Sequence, residues 1–164
     1  MWGQIANWAK TWKVDFNPSK TKTVLFSKKT NLVHHPDLIF RDVKVEETSS
    51  HKHLGMTLQN DCSWSKHIDD IVKKVSPMIN CLRSFKYRLS RNCLHRMYSS
   101  YILPIFDYCS HIYDNCTKAQ AIILENLHLD ALRTICGAVR RTSHTIIYNE
   151  TSSVSLNERR RIAK

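Results

Sequence analysis

Metal-dependent phosphoryl transfer holds its divalent ions about 4 Å apart on clustered carboxylates, so the acidic residues are where chemistry is sought first. Asp69 and Asp70 are adjacent in a helical stretch, where neighbouring side chains point about 100° apart. Glu46 and Glu47 fall on opposite faces of an extended segment. Asp107 and Asp114, two turns apart, are the one pair that would share a face. No glycine-rich phosphate loop and no nucleophile elbow occurs. The near pairs Cys62 with His67, Cys93 with His95, Cys109 with His111 and His51 with His53 lack a second pair at zinc-finger spacing. The residues thus support neither a catalytic group nor a metal ligand, and no cofactor is expected in this chain. Cys62, Cys81, Cys93, Cys109, Cys116 and Cys136 are scattered through apparent helices, with no secretion signal. They are expected as reduced, mostly buried thiols.

Charge points elsewhere. The chain has 164 residues, 25 Lys/Arg against 14 Asp/Glu, and a formal net charge of +11. Residues 1–63 hold nine of the cations and six of the acids, leaving sixteen and eight for residues 64–164. Between Asp70 and Asp107 there is no acid, yet Lys73, Lys74, Arg83, Lys86, Arg88, Arg91 and Arg96 fall there. A second acid-free window, from Asp130 to Glu150, holds Arg133, Arg140 and Arg141. Such windows favour a polyanionic partner, nucleic acid before a membrane surface. His51-Lys52-His53 adds a compact basic strand, and Lys20 and Lys22 follow a turn from which they reach phosphate. Contacts of this kind position a duplex without reading its bases.

The elements that position these residues follow from periodicity. Hydrophobic residues make up 42%, enough for a packed core, and three glycines with four prolines argue against a loop-rich all-β fold. No apolar run has the length of a membrane span, and Lys10 and Lys13 interrupt any signal peptide, so a soluble, intracellular chain is predicted. Ile5, Trp8, Ala9 and Trp12 predict an amphipathic helix over residues 3–12. Val14 and Phe16 then alternate as in a strand, closed by a turn at Asn17-Pro18. Residues 23–26 form a short β-prone run; residues 38–40 and 43–45 flank Arg41-Asp42 as a hairpin; residues 53–58 read as one further strand. Residues 1–60 are therefore expected as one helix with a small antiparallel sheet.

From Trp64 the period becomes helical. Trp64, Ile68, Ile71, Val75, Met78, Leu82 and Phe85 predict a long helix, with a kink or break near Val75-Ser76 ahead of Pro77. Ser90 caps a second helix that Pro104 bends or restarts; Thr117 opens a third that Gly137 closes. The capping-box pattern Ser155-Leu156-Asn157-Glu158 opens a last helix, which runs to the end of the sequence. The fold class is α+β, an α+β piece at residues 1–60 followed by an all-helical bundle at 61–164.

Several of these residues, taken together, resemble a known family. Trp8-Ala9-x-x-Trp12-x-Val14-x-Phe16-Asn17-Pro18-x-Lys20-Thr21, Phe26-Ser27-x-Lys29 and His51-Lys52-His53-Leu54-Gly55 resemble the reverse transcriptase of non-LTR retrotransposons, jockey-like elements in particular. The similarity continues in order through Trp64-x-x-His67-Ile68, Leu89-Ser90-Arg91, Tyr98-x-Ser100-Tyr101-Ile102-x-Pro104, Asp114-Asn115-Cys116-Thr117, Leu124-Glu125, Ala131-x-Arg133 and Gly137-Ala138-x-Arg140-x-Thr142-Ser143. The pattern departs from the family at Arg41-Asp42, at Tyr113 where tryptophan is usual, and at residues 151–154.

The resemblance implies RNA-templated DNA synthesis on two magnesium ions in the parent enzyme, with catalytic aspartates in a strand upstream of Trp8. Residues 1–60 would then be the end of the palm, with residues 51–58 as the hairpin that grips the primer. Residues 61–164 would be a thumb-like region holding an RNA–DNA hybrid or template–primer duplex. Lys52 and His53 are the first primer-contact candidates on this footing, then Lys20, then Arg83, Lys86, Arg88 and Arg91. The chain alone is expected to be inactive; its expected partners are nucleic acid and an upstream polymerase portion, and no membrane. The rival expectation is a structural or interaction fragment, or a remnant, that self-associates through Trp2, Trp8 and Trp12.

Overall fold

The computed structural model describes residues 2–17, 20–28, 36–40 and 43–163. The chain divides into two compact units, Met1–Ser63 and Trp64–Lys164, of mixed α+β and all-α character respectively.

In the first unit, helix α1 spans Trp2–Trp12. It closes by a Schellman arrangement. Lys13 takes a left-handed φ of 51°, the Val14 N–H donates to the Ala9 carbonyl at 2.9 Å, and the Lys13 N–H donates to the Lys10 carbonyl. That closure engages the Val14 N–H, and the strand expected over Val14 and Phe16 does not form. Of the apolar residues at helical spacing, Ala9 is buried, whereas Trp8 is 51% and Trp12 66% exposed.

The expected single antiparallel sheet is instead three two-stranded pairs among the described residues. Strands β1 (Lys22–Thr23) and β4 (Glu46–Glu47) pair in parallel, with Lys22 opposite Glu46 and their side chains 3.3 Å apart. Strands β2 (Ile39–Phe40) and β3 (Val43–Lys44) form the anticipated hairpin, Phe40 opposite Val43. Its Arg41-Asp42 turn lies outside the described residues, as do Pro18 of the Asn17-Pro18 turn and Lys29.

Residues 53–58, read as one strand, are split between β5 (Ser50–His53) and β6 (Met56–Gln59), antiparallel with His53 opposite Met56. Leu54 and Gly55 join them with φ of 45° and 80°. Two consecutive positive φ values define the two-residue turn whose twist matches that of the flanking strands. Gly55 adopts this without cost; Leu54 is held there by the hairpin.

In the second unit, α2 spans Ser65–Phe85 as one continuous helix with Pro77 inside it; of the kink or break expected near Val75-Ser76, the break does not occur. Ile68, Ile71 and Val75 before the proline, and Ile79 and Leu82 after it, are buried on one stripe. Packing on both sides outweighs the one lost backbone bond. Ser90 caps α3 (Arg91–Met97), its hydroxyl accepting from the Cys93 N–H at 3.3 Å. A π-helical turn, Tyr98–Ile102, then leads into α4 (Leu103–Asp107) with Pro104 in its first turn. The wider turn admits a ring that has no N–H to donate.

Helix α5 (Lys118–Cys136) is the centre of the unit. Thr117 and Gln120 form a reciprocal capping box at 3.3 and 3.0 Å, and Gly137 ends the helix at φ 72°. Leu124, Leu129 and Leu132 of this helix are fully buried. Helix α6 (His144–Thr151) is not anticipated by the pattern. Its Thr145-Ile146-Ile147 run favours strands, and no side chain caps it; burial of Ile147 holds it as a helix. Helix α7 (Leu156–Ala163) starts as expected, with the Ser155 hydroxyl accepting from the Glu158 N–H at 3.1 Å.

A buried polar network ties these helices together. The His128 Nε2 lies 3.0 Å from the Val154 carbonyl, which only accepts, so Nε2 carries the proton. Nδ1 then accepts from the Tyr98 hydroxyl. Burial pushes the His128 imidazole below its ordinary 6.5, against the raising influence of Glu125 and of the bond to Val154. Burial likewise pushes the Tyr98 hydroxyl up, holding it protonated.

A histidine whose folded pKa is depressed is neutral in both states above its unfolded value. Below that value the unfolded chain takes up the proton first. The contribution is therefore complete above about pH 6.5 and lost as the pH falls below it. Urea-denaturation midpoints should drop on acidification below pH 6.5, and His128→Gln should reduce that drop while lowering stability at neutral pH. An equal drop in wild type and variant would contradict the assignment.

All six cysteines are free, but none is buried: Cys62 and Cys81 are exposed and the other four half-buried. Among the described residues, no helix is long and apolar enough to cross a membrane.

Candidate nucleic-acid interface

Asp107 and Asp114, the acids singled out for a shared face, are each taken up by an arginine of α7. The Asp107 carboxylate accepts from Arg159 Nε at 3.0 Å and Nη2 at 2.5 Å, and Asp114 accepts from Arg160 at 3.4 Å. Arg160 is itself buried, its guanidinium 5.7 Å from the Tyr113 ring centroid. Burial pushes the Tyr113 hydroxyl up to about 12, and that hydroxyl donates to the Phe106 carbonyl. These acids hold α7 against the bundle. Among the described residues, no group of three or more His, Cys, Asp or Glu side chains is arranged to hold a metal ion.

The basic residues behave differently. A cleft of about 1090 Å³ runs between α2 and α5 and is bounded by the loop after α5. Arg83 and Lys86 enter it from the end of α2, Arg133 from the last turn of α5, and Arg140 from the loop beyond Gly137. The two acid-free windows of the sequence thus meet across one cavity. Val72, Ile123 and Leu127 supply apolar wall, and Asn126 an amide.

One acid enters the cleft. Asp130 pairs with Arg83, whose other terminal nitrogen donates to the Asn80 side chain at 2.7 Å. Arg83 is thereby held in place and half-neutralised. Lys86, Arg133 and Arg140 have no carboxylate partner among the described residues. The Arg133 Nε is buried with no hydrogen-bond partner among them. The cleft therefore keeps about three uncompensated positive charges behind low-dielectric walls, where they focus a field outward.

The other predicted contacts are dispersed. Lys73, Lys74, Arg88 and Arg141 are exposed on the helical unit but do not line the cleft. Arg91 bonds the Glu150 carboxylate at 3.1 Å and the Glu150 carbonyl, tying α3 to α6. In the first unit Lys20 is exposed and Lys22 is paired with Glu46; Lys52 and His53 are exposed on β5, with His51 half-buried beside them.

Sequence reasoning missed Tyr87. It follows α2, lines the cleft, and is 89% exposed. The available signal was Lys86-Tyr87-Arg88, an aromatic residue flanked by cations. Lys86 Nζ lies 5.4 Å from the Tyr87 ring centroid.

A basic cleft lies on a helical unit whose Asp107 and Asp114 are committed to arginines, and in sequence the chain is similar to RNA-directed DNA polymerases of mobile elements. In particular, it is 28% identical over 135 residues to the RNA-directed DNA polymerase from mobile element jockey of Drosophila melanogaster, covering 80% of this chain and 14% of the relative. It is 22% identical over 150 residues to the probable RNA-directed DNA polymerase from transposon X-element of the same organism, covering 90% and 16%. With the probable enzyme from transposon BS, also of Drosophila melanogaster, the figures are 23% over 157 residues, 94% and 17%. The chain thus spans about a sixth of the length of these relatives. The resemblance drawn from the motifs is borne out. No protein-family model and no solved structure matches the chain.

Proposed function

We propose that the chain is part of a mobile-element RNA-directed DNA polymerase, and that its helical unit acts as the thumb, gripping template–primer nucleic acid through the α2/α5 cleft. In this reading the carboxylates and magnesium ions of polymerisation are supplied from outside this chain, and the chain alone binds without catalysing. The observation that carries it is the convergence of Arg83, Lys86, Arg133 and Arg140 on one cleft, three of them without an acid partner among the described residues. The relatives' names supply the substrate class. The commitment of Asp107 and Asp114 to Arg159 and Arg160 supports a binding rather than a catalytic role for this unit.

The backbone contacts make the affinity salt-dependent, because each neutralised phosphate releases counterions. The three cleft cations without an acid partner among the described residues, engaging three phosphates, give a slope of log affinity against log salt near −2.7, at about −0.9 per phosphate, and Arg83, already paired with Asp130, adds less than one further contact. Extra contacts from Lys52, Lys73 or Lys74 would steepen it. The test is a fluorescence-anisotropy salt titration of the full chain against a labelled RNA–DNA hybrid. A slope of about −2.7 or steeper supports the proposal; saturable binding with a slope near zero, or no binding by folded protein, overturns it.

A further inference from the structure

We infer that the α2/α5 cleft takes an unpaired nucleic-acid strand, with one base stacked on Tyr87 and the adjoining phosphates on Lys86, Arg133 and Arg140. The inference rests on the nucleic-acid reading above and adds the form in which the ligand enters the cleft.

Three observations carry it. The first is Tyr87 itself. At 89% exposure its ring stands open to solvent and takes no part in the core, so it is free to stack on a ligand. Lys86 sits over the ring at 5.4 Å, leaving ring surface open at the edge of a basic cleft. Exposed aromatic rings beside cation-lined grooves are what single strands use, because every base offers a π face and a duplex hides its own.

The second is size. A cleft of about 1090 Å³ is slightly larger than the roughly 300–1,000 Å³ that encloses compact ligands. It accommodates a few nucleotides of flexible strand. A duplex is a stiff rod with its bases stacked inside, so it reaches such a cleft only with phosphates at the rim.

The third is the order of charge within the cavity. Asp130, bonded to Arg83, makes one part of the wall unfavourable for phosphate, while Arg133 and Arg140 have no acid partner among the described residues. Phosphate is therefore directed toward the arginines. The base is left for Tyr87, with the Asn126 amide available to an edge and Val72 and Ile123 to the sugar and ring faces.

The experiment compares wild type, Tyr87→Ala and Tyr87→Phe as full chains on two probes. One is a labelled oligouridylate of about twelve nucleotides with a single 2-aminopurine, within the usual ~4–16-nucleotide footprint of such grooves. The other is a blunt RNA–DNA hybrid. Wild type and Tyr87→Phe should quench the 2-aminopurine on binding, the signature of stacking. Tyr87→Ala should lose the quench and bind the single strand roughly tenfold more weakly, with hybrid affinity unchanged. Because Tyr87 is exposed, the substitution leaves the fold intact, which circular dichroism checks. Unchanged single-strand affinity and quench in Tyr87→Ala, or an equal loss on both probes, would overturn the inference. Wild type that binds the hybrid but not the single strand would overturn this inference alone; wild type that binds neither removes the proposed function with it.

Discussion

The triple variant Lys86→Gln/Arg133→Gln/Arg140→Gln should bind an RNA–DNA hybrid on the order of 100-fold more weakly than wild type at 0.15 M salt, with a salt slope shallower by about 2.7. Both figures come from counterion release: about 0.9 per phosphate in slope, hence about 0.7 log unit of affinity per phosphate at that salt. Glutamine keeps length and polarity while removing charge, so the comparison isolates electrostatics. The fold should tolerate the change. Lys86 and Arg140 bridge no carboxylate among the described residues, and the buried Arg133 Nε donates to none of them, so no broken bond is left behind. Arg83→Gln belongs in a separate variant because it would strand Asp130. Anisotropy titrations at several salt concentrations check the claim. Wild-type affinity with an unchanged slope would mean that phosphate is held elsewhere.

Leu132→Ala should act in the opposite sense, on stability and not on the binding surface. Leu132 is fully buried on the face of α5 that also carries Leu124 and Leu129, whereas Asp130 and Arg133 on the same helix line the cleft. Truncating a leucine so enclosed removes its transfer free energy and leaves a cavity, about 2–5 kcal/mol in comparable cores. Against a total of about 5–15 kcal/mol for a domain, that is a large share. Urea denaturation followed by far-UV circular dichroism should show the midpoint falling accordingly. The affinity of the fraction still folded should stay near wild type. Together the two variants separate the inner face of α5 from its outer face; a Leu132→Ala protein of wild-type stability would contradict the packing described above.

What could be read from the sequence was what local chemistry decides. Ser90, Thr117 with Gln120, Gly137 and Ser155 mark helix ends because their side chains, or the lack of one, satisfy terminal N–H groups or permit a positive φ. What could not be read was what packing decides. Helix α6 forms over a β-favouring run because Ile147 is buried, and α2 continues through Pro77 because its apolar stripe is anchored on both sides. Residues 53–58 looked like one strand because Leu54 does not announce a turn, yet it takes φ 45° beside Gly55. The functional surface divides along the same line. Arg83, Lys86, Arg133 and Arg140 stood out as members of acid-free windows, but only the packing of α2 on α5 puts them around one cleft. Tyr87 went unremarked because an aromatic residue at a helix end reads as core until its exposure is seen.

The most direct test of the cleft is photo-cross-linking of the full chain to a 4-thiouridine-labelled RNA strand, annealed to DNA with an unpaired extension, followed by peptide mapping. The account predicts cross-links concentrated in residues 83–88 and 126–140, competed by unlabelled hybrid and suppressed in the triple glutamine variant. Cross-links confined to residues 1–63, or spread evenly over the exposed lysines and arginines, would contradict it.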